Sequence, residues 1–213
     1  MHLKRHFTNK SWPIPRKGTA YVVVPSHSPD SGVPLLIAIR DILGAVKTRK
    51  ELKKILLEGK VLVNGKKVRE DNLTVQLFDK ISLKDEKKYY EVEYSKTGKF
   101  DLKEISEKDA NSKICKVINK KMLKGKQIQI NFNDGRNMLS KEKLNIGESI
   151  VINLNDNKIE KIMPVKEKAK VLIVKGKHRG SKGDIVEINE NKIKIKSDDK
   201  SFETKMEELI VIN

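Results

Sequence analysis

The chain has 213 residues, of which 37% are hydrophobic, 5% aromatic and 35% charged. This is a thin apolar supply for one large enzyme core and a sufficient one for several small modules. Forty-six Lys and Arg against 29 Asp and Glu leave a net charge of +17, so the partner must be anionic, either nucleic acid or a charged membrane surface. Lysine supplies 39 of the basic residues and arginine seven, and lysine is a mobile point charge suited to phosphate more than to bidentate base reading. The single cysteine, Cys115, excludes an internal disulfide and fits a reducing compartment. The longest apolar runs, such as 35–39, have five residues, against about 20 for a spanning helix. The opening "MHLKR" has no apolar leader segment, and no basic helix carries large enough apolar anchors for a membrane surface. The expectation is a soluble cytoplasmic protein with no membrane partner.

Residues 1–33 are irregular, with Lys4, Arg5, Lys10, Arg16 and Lys17 all preceding the first acid, Asp30. Pro13, Pro15, Pro25 and Pro29 limit regular elements, though "AYVVV" at 20–24 is compatible with a short strand. Trp12, the sole tryptophan, favours an ordered basic arm lying along a partner over a disordered tail. From Pro34 the spacing of Leu35, Leu36, Ile39, Ile42 and Leu43 predicts a helix that Gly44 stops. Thr48 and Glu51 form a capping box that starts a second helix, and Gly59 ends it. "VLVNGKKV" then alternates around Asn64-Gly65, a type I′ hairpin signal. Leu73, Val75 and Leu77, then Ile81 and Leu83, predict two further strands.

After "KDEKK" at 84–88 the chain reads as short strands. Tyr90, Val92 and Tyr94 alternate, as do Ile128, Ile130 and Phe132 ahead of the turn "NDGR" at 133–136. Another strand covers 149–154, followed by the turn "NDN" at 155–157. Such spacing predicts a small barrel. Residues 166–170 form a charged linker, and 171–212 are again strand-like in "VLIV", "DIVEI", "KIKIK" and "LIVI". The expected division is a basic arm at 1–33, then modules at 34–88, 89–165 and 166–213.

On a helical wheel Leu52, Ile55 and Leu56 share one arc, while Arg49, Lys50, Lys53 and Lys54 share the opposite one, with Leu57 intruding. The hairpin adds Lys60, Lys66, Lys67 and Arg69, so that 47–69 holds nine basic residues and two acids. A charge run alone is usually a solvated face. This one is one-sided and continues from a helix into a tight hairpin, which suits a phosphate backbone.

In the C-terminal segment Gly176, Gly180 and Gly183 are spaced for a tight loop between strands, lined by Lys175, Lys177, His178, Arg179 and Lys182. No Gly-Lys-Ser/Thr precedes a helix, so a P-loop is excluded. A basic loop touching RNA or a neighbouring protein and a plain hairpin turn remain the two readings. His2 and His6 have no Cys or carboxylate cluster to complete a metal site. Cys115 in "KICKVI" reads as a buried structural thiol, and Asp134 in "NDGR" as a turn residue. No convergent acid–base pair is present. The expectation is no enzyme, no cofactor and no metal.

The capped basic helix followed by "GKVLVNGKKV", through Thr48, Arg49, Lys53, Lys54, Gly59, Val61, Val63, Asn64, Gly65 and Val68, resembles the αL RNA-binding domain. "HLKRHFTNKSWPIPRKG" at 2–18, "PLLIAIRDILGAVKTRKE" at 34–51, "NDGRNML" at 133–139 and the KOW-like "VKGKHRGSKGDIVEI" at 174–188 are similar, in order, to small-subunit ribosomal protein four of the archaeal and eukaryotic type. The lysine content fits an archaeal version. Three departures stand out: no basic extension precedes "HLKR", the loop at 25–33 is short, and Lys168 stands where the resemblance leads to glycine. The resemblance implies an α+β multi-module fold: an N-terminal αL domain, a central small β-barrel and a C-terminal KOW, SH3-like barrel. It also implies a structural constituent of the small ribosomal subunit, acting in translation and subunit assembly. The partners would be small-subunit ribosomal RNA and neighbouring ribosomal proteins, with no stable homo-oligomer. Two alternatives stay open, an RNA-modifying enzyme and a transcription or RNA-chaperone factor, each with an αL domain. The expected RNA contacts are Lys4, Arg5, Lys10, Arg16 and Lys17 in the arm; Thr48, Arg49, Lys50, Lys53, Lys54, Lys60, Asn64, Gly65, Lys66, Lys67 and Arg69 in the helix and hairpin; and Lys175, Lys177, His178, Arg179 and Lys182 in the C-terminal loop.

Overall fold

The structure is a computed structural model that describes residues 2–123, 127–140, 144–189, 192–197 and 200–212. The chain forms two compact units, Met1–Lys113 and Ile114–Asn213. Strands dominate both; among the described residues the α-helical stretches lie in the first, and the second has one 3-10 turn at Met206–Glu208.

In the first unit, Leu35–Ile37 begins the first helix and Ala38–Ile42 continues it as a wider turn, in which Leu43 N–H donates to Ala38 O at 3.1 Å. Leu35, Leu36, Ile37, Ala38 and Ile39 are all buried, and Gly44 stops the run with φ +66°. The second helix spans Arg49–Leu57. Its start is the predicted capping box: Glu51 N–H donates to Thr48 Oγ1, and Thr48 N–H donates to Glu51 Oε2. Its end is a Schellman motif, with Gly59 N–H on Leu56 O, Lys60 N–H on Ile55 O, and Gly59 at φ +68°.

An antiparallel sheet follows in the order Lys66–Lys67, Val61–Val63, Lys80–Leu83, Lys88–Tyr94, Phe100–Ile105. Asn64 (φ +50°) and Gly65 (φ +76°) make the expected two-residue turn. The sheet runs on past residue 88, where the change of composition places a boundary: Tyr90, Val92 and Tyr94 lie on a strand that pairs with Lys80–Leu83. Residues 84–87 are therefore an exposed hairpin turn within one sheet, in which Asp85 pairs with Lys60 and Glu86 with Lys88. A smaller pair joins Gly32–Pro34 to Thr74–Gln76, in which Gly32 lets the backbone of Val75 come close, since a Cβ there would collide with Val75 O.

The N-terminal segment is ordered, through the chain's own core. Leu3–Lys4 pairs with Tyr21–Val22. Trp12 is buried, its indole N–H donating to Gly32 O at 2.9 Å and Pro29 O at 3.2 Å. Phe100 N–H donates to Ser11 O at 2.9 Å. The tryptophan thus orders the segment by packing within the chain, which leaves Lys4, Lys10, Arg16 and Lys17 exposed. Burial of an indole with its N–H satisfied is the lower-energy use of that residue.

In the second unit one antiparallel sheet has the order Asn137–Ser140, Ile128–Phe132, Ser112–Met122, Ser149–Asn153, Ile159–Met163. Its core is Cys115, Val117, Ile130, Phe132, Leu144, Ile150 and Ile152. The turn at 133–136 is held by Asp134, whose Oδ1 accepts from Arg136 N–H at 3.0 Å and whose Oδ2 faces buried Cys115 Sγ at 3.5 Å. A second sheet runs Lys200–Thr204, Ile193–Ser197, Lys182–Ile188, Lys170–Ile173, Leu209–Val211, over Val171, Ile173, Ile185, Ile193, Ile195, Leu209 and Val211. Residues 166–169 are tied to this sheet, with Lys168 N–H on Ile185 O at 2.8 Å. Lys168 takes φ +65°, the left-handed conformation that glycine adopts most cheaply, at the position where the family resemblance leads to glycine.

Candidate nucleic-acid interface

Amphipathic packing fixes which way the second helix faces. Leu52 and Leu56 are fully buried, Ile55 half-buried, and Lys50, Lys53, Lys54 and Leu57 exposed. Leu57, 78% exposed, is an apolar residue on the basic face, as its wheel position requires. The hairpin presents Gly65, Lys66, Lys67 and Arg69, all exposed. The Lys67 stem lies beside Gly59, its Cδ 3.4 Å from where a Cβ would stand, so hairpin and helix end share one surface.

Several expected contacts also serve the fold. The Arg49 guanidinium forms a two-pronged ion pair with Asp71, one arm at 3.1 Å, while the Asp71 side chain is 7% exposed. The hydrogen bonds from Arg49 hold the Asp71 carboxyl below its ordinary range, and Asp71 raises Arg49 in turn. Lys60 Nζ sits between Glu58 Oε2 (2.9 Å) and Asp85 Oδ2 (2.8 Å), which raise its pKa and compensate its charge locally. The Thr48 hydroxyl is occupied as a helix cap. Asn64 donates to Asp79 Oδ1 at 2.8 Å and accepts from Lys80 N–H at 3.0 Å, so its amide is a strut beneath the turn. Asp79 also receives buried Lys113 Nζ at 2.6 Å and Gln76 N–H at 2.7 Å.

The C-terminal loop is ordered by its backbone. Gly180 N–H donates to Ile173 O, Val174 N–H to Glu208 O, and Ser181 N–H to His178 O. Gly176 and Gly180 both have φ +86°. Gly183 lies where a Cβ would meet Lys196 O at 2.6 Å, a close strand approach. Arg179 Nε donates to Val174 O at 2.8 Å, closing the loop on itself. His178 stacks on Phe202 with ring centroids 4.5 Å apart and planes 9° apart. Lys175, Lys177 and Lys182 are exposed. An acid absent from the loop's own sequence is supplied from elsewhere: the Glu208 carboxylate lies 3.4 Å from where a Gly176 Cβ would stand.

In the N-terminal segment Lys4, Lys10, Arg16 and Lys17 are exposed, and Arg5 ties residues 15–19 together. The structure thus brings the helix and hairpin cations onto one surface within the first unit. The loop at 175–182 belongs to the second unit. Sequence reasoning missed Asp71, Asp79, Lys113 and Lys116. Asp71 is hidden in the charged run "RED", while Asp79, Lys113 and Lys116 stand singly or as a pair among apolar residues, where the sequence alone does not tell a buried charge from an exposed one.

Residues 38–81 match the S4 domain family, so the capped helix and its hairpin belong to an S4 domain. Residues 86–159 match the Ribosomal family S4e. Small ribosomal subunit protein eS4 of Methanocella arvoryzae is 36% identical, over 99% of this chain and 93% of its own length. Its counterpart in Halobacterium salinarum is 34% identical over 100% and 95%. The crystal structure of the 30S ribosomal protein S4e from Thermoplasma acidophilum superposes with a TM-score of 0.73 at 29% identity, covering 85% of this chain and 94% of that one. The chain belongs to the ribosomal S4e family.

Proposed function

We infer that this protein is a structural constituent of the small ribosomal subunit and not an enzyme, and that it holds ribosomal RNA through cationic surfaces on several modules. The observation that carries the reading is the one-sided face of Lys50, Lys53, Lys54, Lys66, Lys67 and Arg69, rigidly presented by a capped helix and a two-residue turn in a chain of this family. Such a face neutralises phosphates and releases counterions. The N-terminal cations Lys4, Lys10, Arg16 and Lys17, with Arg5 fixing their loop, form a second contact. Lys175, Lys177 and Lys182 form a third, on a KOW-type loop that Arg179 and His178 brace. Thr48, Arg49, Lys60 and Asn64 act on RNA chiefly by shaping the surface that the exposed lysines present. The modules take the forms of an αL domain, a central β domain and a KOW-like domain. Neighbouring small-subunit proteins are the other partners, and the site of action is the cytoplasmic ribosome.

The test is sedimentation. Tagged parent protein expressed in archaeal cells should travel with the small subunit at moderate salt. Lys50→Glu, Lys53→Glu and Lys54→Glu together should leave the protein folded and shift most of it to the free fraction. Undiminished co-sedimentation of that variant would show that the helix face is merely solvated.

A further inference from the structure

The N-terminal segment builds an open cleft of about 550 Å³, within the size range of small-ligand sites. Its floor is the Arg5 guanidinium, which donates to Thr19 O (2.7 Å), Pro15 O (2.8 Å) and Thr19 Oγ1 (2.8 Å). All three acceptors are neutral, so the Arg5 charge is oriented without being compensated. Gly18 makes room for this clamp: a Cβ there would lie 3.0 Å from Arg5 Cζ, and its φ is +147°. Lys4, His6, Arg16 and Lys17 complete the charged wall, and among the described residues no carboxylate lines the cleft.

The aromatic residues supply the second, independent observation. Of ten in the chain, only Phe7 and Tyr21 are exposed, at 70% and 56%. Tyr21 lines the cleft, directly across the strand pair from Lys4, and Phe7 adjoins His6 on its wall. Each exposed ring is propped by a histidine: His2 and Tyr21 have centroids 5.4 Å apart, and His6 and Phe7 4.1 Å. A clamped cationic cleft with exposed, pre-oriented rings at its edge matches a phosphate flanked by an unstacked base. A continuous duplex keeps its bases stacked internally and offers those rings nothing.

We propose that this cleft recognises an unpaired RNA nucleotide, its phosphate held by Arg5, Arg16 and Lys17 and its base stacked on Phe7 or Tyr21. The proposal rests on the RNA-binding reading above and adds the class of RNA feature bound.

Full-length protein is titrated with two RNA hairpins of equal length, one with an uninterrupted stem and one with a single unpaired 2-aminopurine nucleotide in it. The parent should bind the interrupted hairpin more tightly and quench its fluorescence. Phe7→Leu with Tyr21→Leu should weaken that binding about five-fold or more and abolish the quenching, while affinity for the uninterrupted stem stays unchanged. Tyr21→Phe, which keeps the ring, should retain the parent's preference. Equal binding of both hairpins by the parent, or an undiminished preference in the double leucine variant, would overturn the stacking site and leave phosphate binding intact. Failure of the parent to bind either hairpin at low salt would overturn the RNA-binding reading itself.

Discussion

Lys116 shows how far a lysine's environment can depart from its sequence context. It sits among other lysines in "KICKVINKK", yet its Nζ donates to Met206 O at 2.6 Å and Leu209 O at 2.8 Å and the residue is 7% exposed. Burial pushes its ammonium down to about 8, opposed by the charge of Glu207 and reinforced by that of Lys175. The folded pKa therefore lies below the unfolded value of 10.5. Between the two the unfolded chain binds more protons, so stability rises with pH across that window, by about 3 kcal/mol in the limit. The cost of the buried charge is fully present below pH 8. Urea denaturation of the parent and of Lys116→Met at pH 7.5 and pH 10 should show the difference moving in the parent's favour as pH rises. A shift the other way would mean that the buried amine is stabilised in its charged form. Lys168 is the second case. Its φ of +65° strains a non-glycine residue, so Lys168→Gly should raise thermal stability by up to about 1 kcal/mol, the left-handed penalty less glycine's larger unfolded-state entropy. A fall in melting temperature would show that the Lys168 side chain contributes more by packing than its backbone loses.

The second helix has two kinds of cation. Arg49 is a staple, since it holds nearly buried Asp71 from 22 residues away. Lys53 and Lys54 are exposed. Arg49→Ala should therefore cost about 1–3 kcal/mol of stability, because it leaves a desolvated carboxylate unpaired. Lys53→Ala and Lys54→Ala should stay within about 0.5 kcal/mol while weakening RNA binding. Leu52→Ala or Leu56→Ala should cost about 2–5 kcal/mol, since both side chains are buried. Chemical denaturation of the five variants separates these cases, and an Arg49 variant as stable as the lysine variants would make the ion pair a surface ornament. This helix was legible in the sequence because its signals are local: a capping box, a 3.6-residue period and a glycine stop. The ion pair was not, because it depends on which distant loop the fold returns to the helix. Long strands were hidden for a related reason. Ser112–Met122 interleaves lysines with its core residues, and two of those lysines, Lys113 and Lys116, point into the interior. The alternation of apolar and polar residues that marks a half-buried strand is blurred when buried positions carry charge. Phe100–Ile105, Asn137–Ser140, Ile159–Met163 and Lys200–Thr204 likewise completed sheets of which only some strands were readable.

At the scale of the molecule, the net charge of +17 is spread over several modules, and their order along the chain was readable before their anchoring was. "KDEKK" read as a boundary because strand signals change there, but hydrogen bonding carries the sheet across it. Charge that is already compensated cannot contribute to counterion release. Lys60 is held by Glu58 and Asp85, and Arg49 by Asp71. The lysines at 50, 53, 54, 66 and 67 and Arg69 stand exposed. Binding of the full-length protein to small-subunit RNA should therefore weaken steeply with salt, with log K falling by roughly 0.7–0.9 per phosphate contact for each tenfold rise. Lys53→Ala with Lys54→Ala should flatten that slope by nearly two contacts, or one for each lysine, while Lys60→Ala should leave it almost unchanged despite removing the same formal charge as either single substitution. Titrations of these variants between low and moderate salt decide the matter. Equal flattening by Lys60→Ala and by either exposed lysine would mean that RNA breaks the Lys60 ion pairs on binding, so that formal charge rather than local compensation governs the interface.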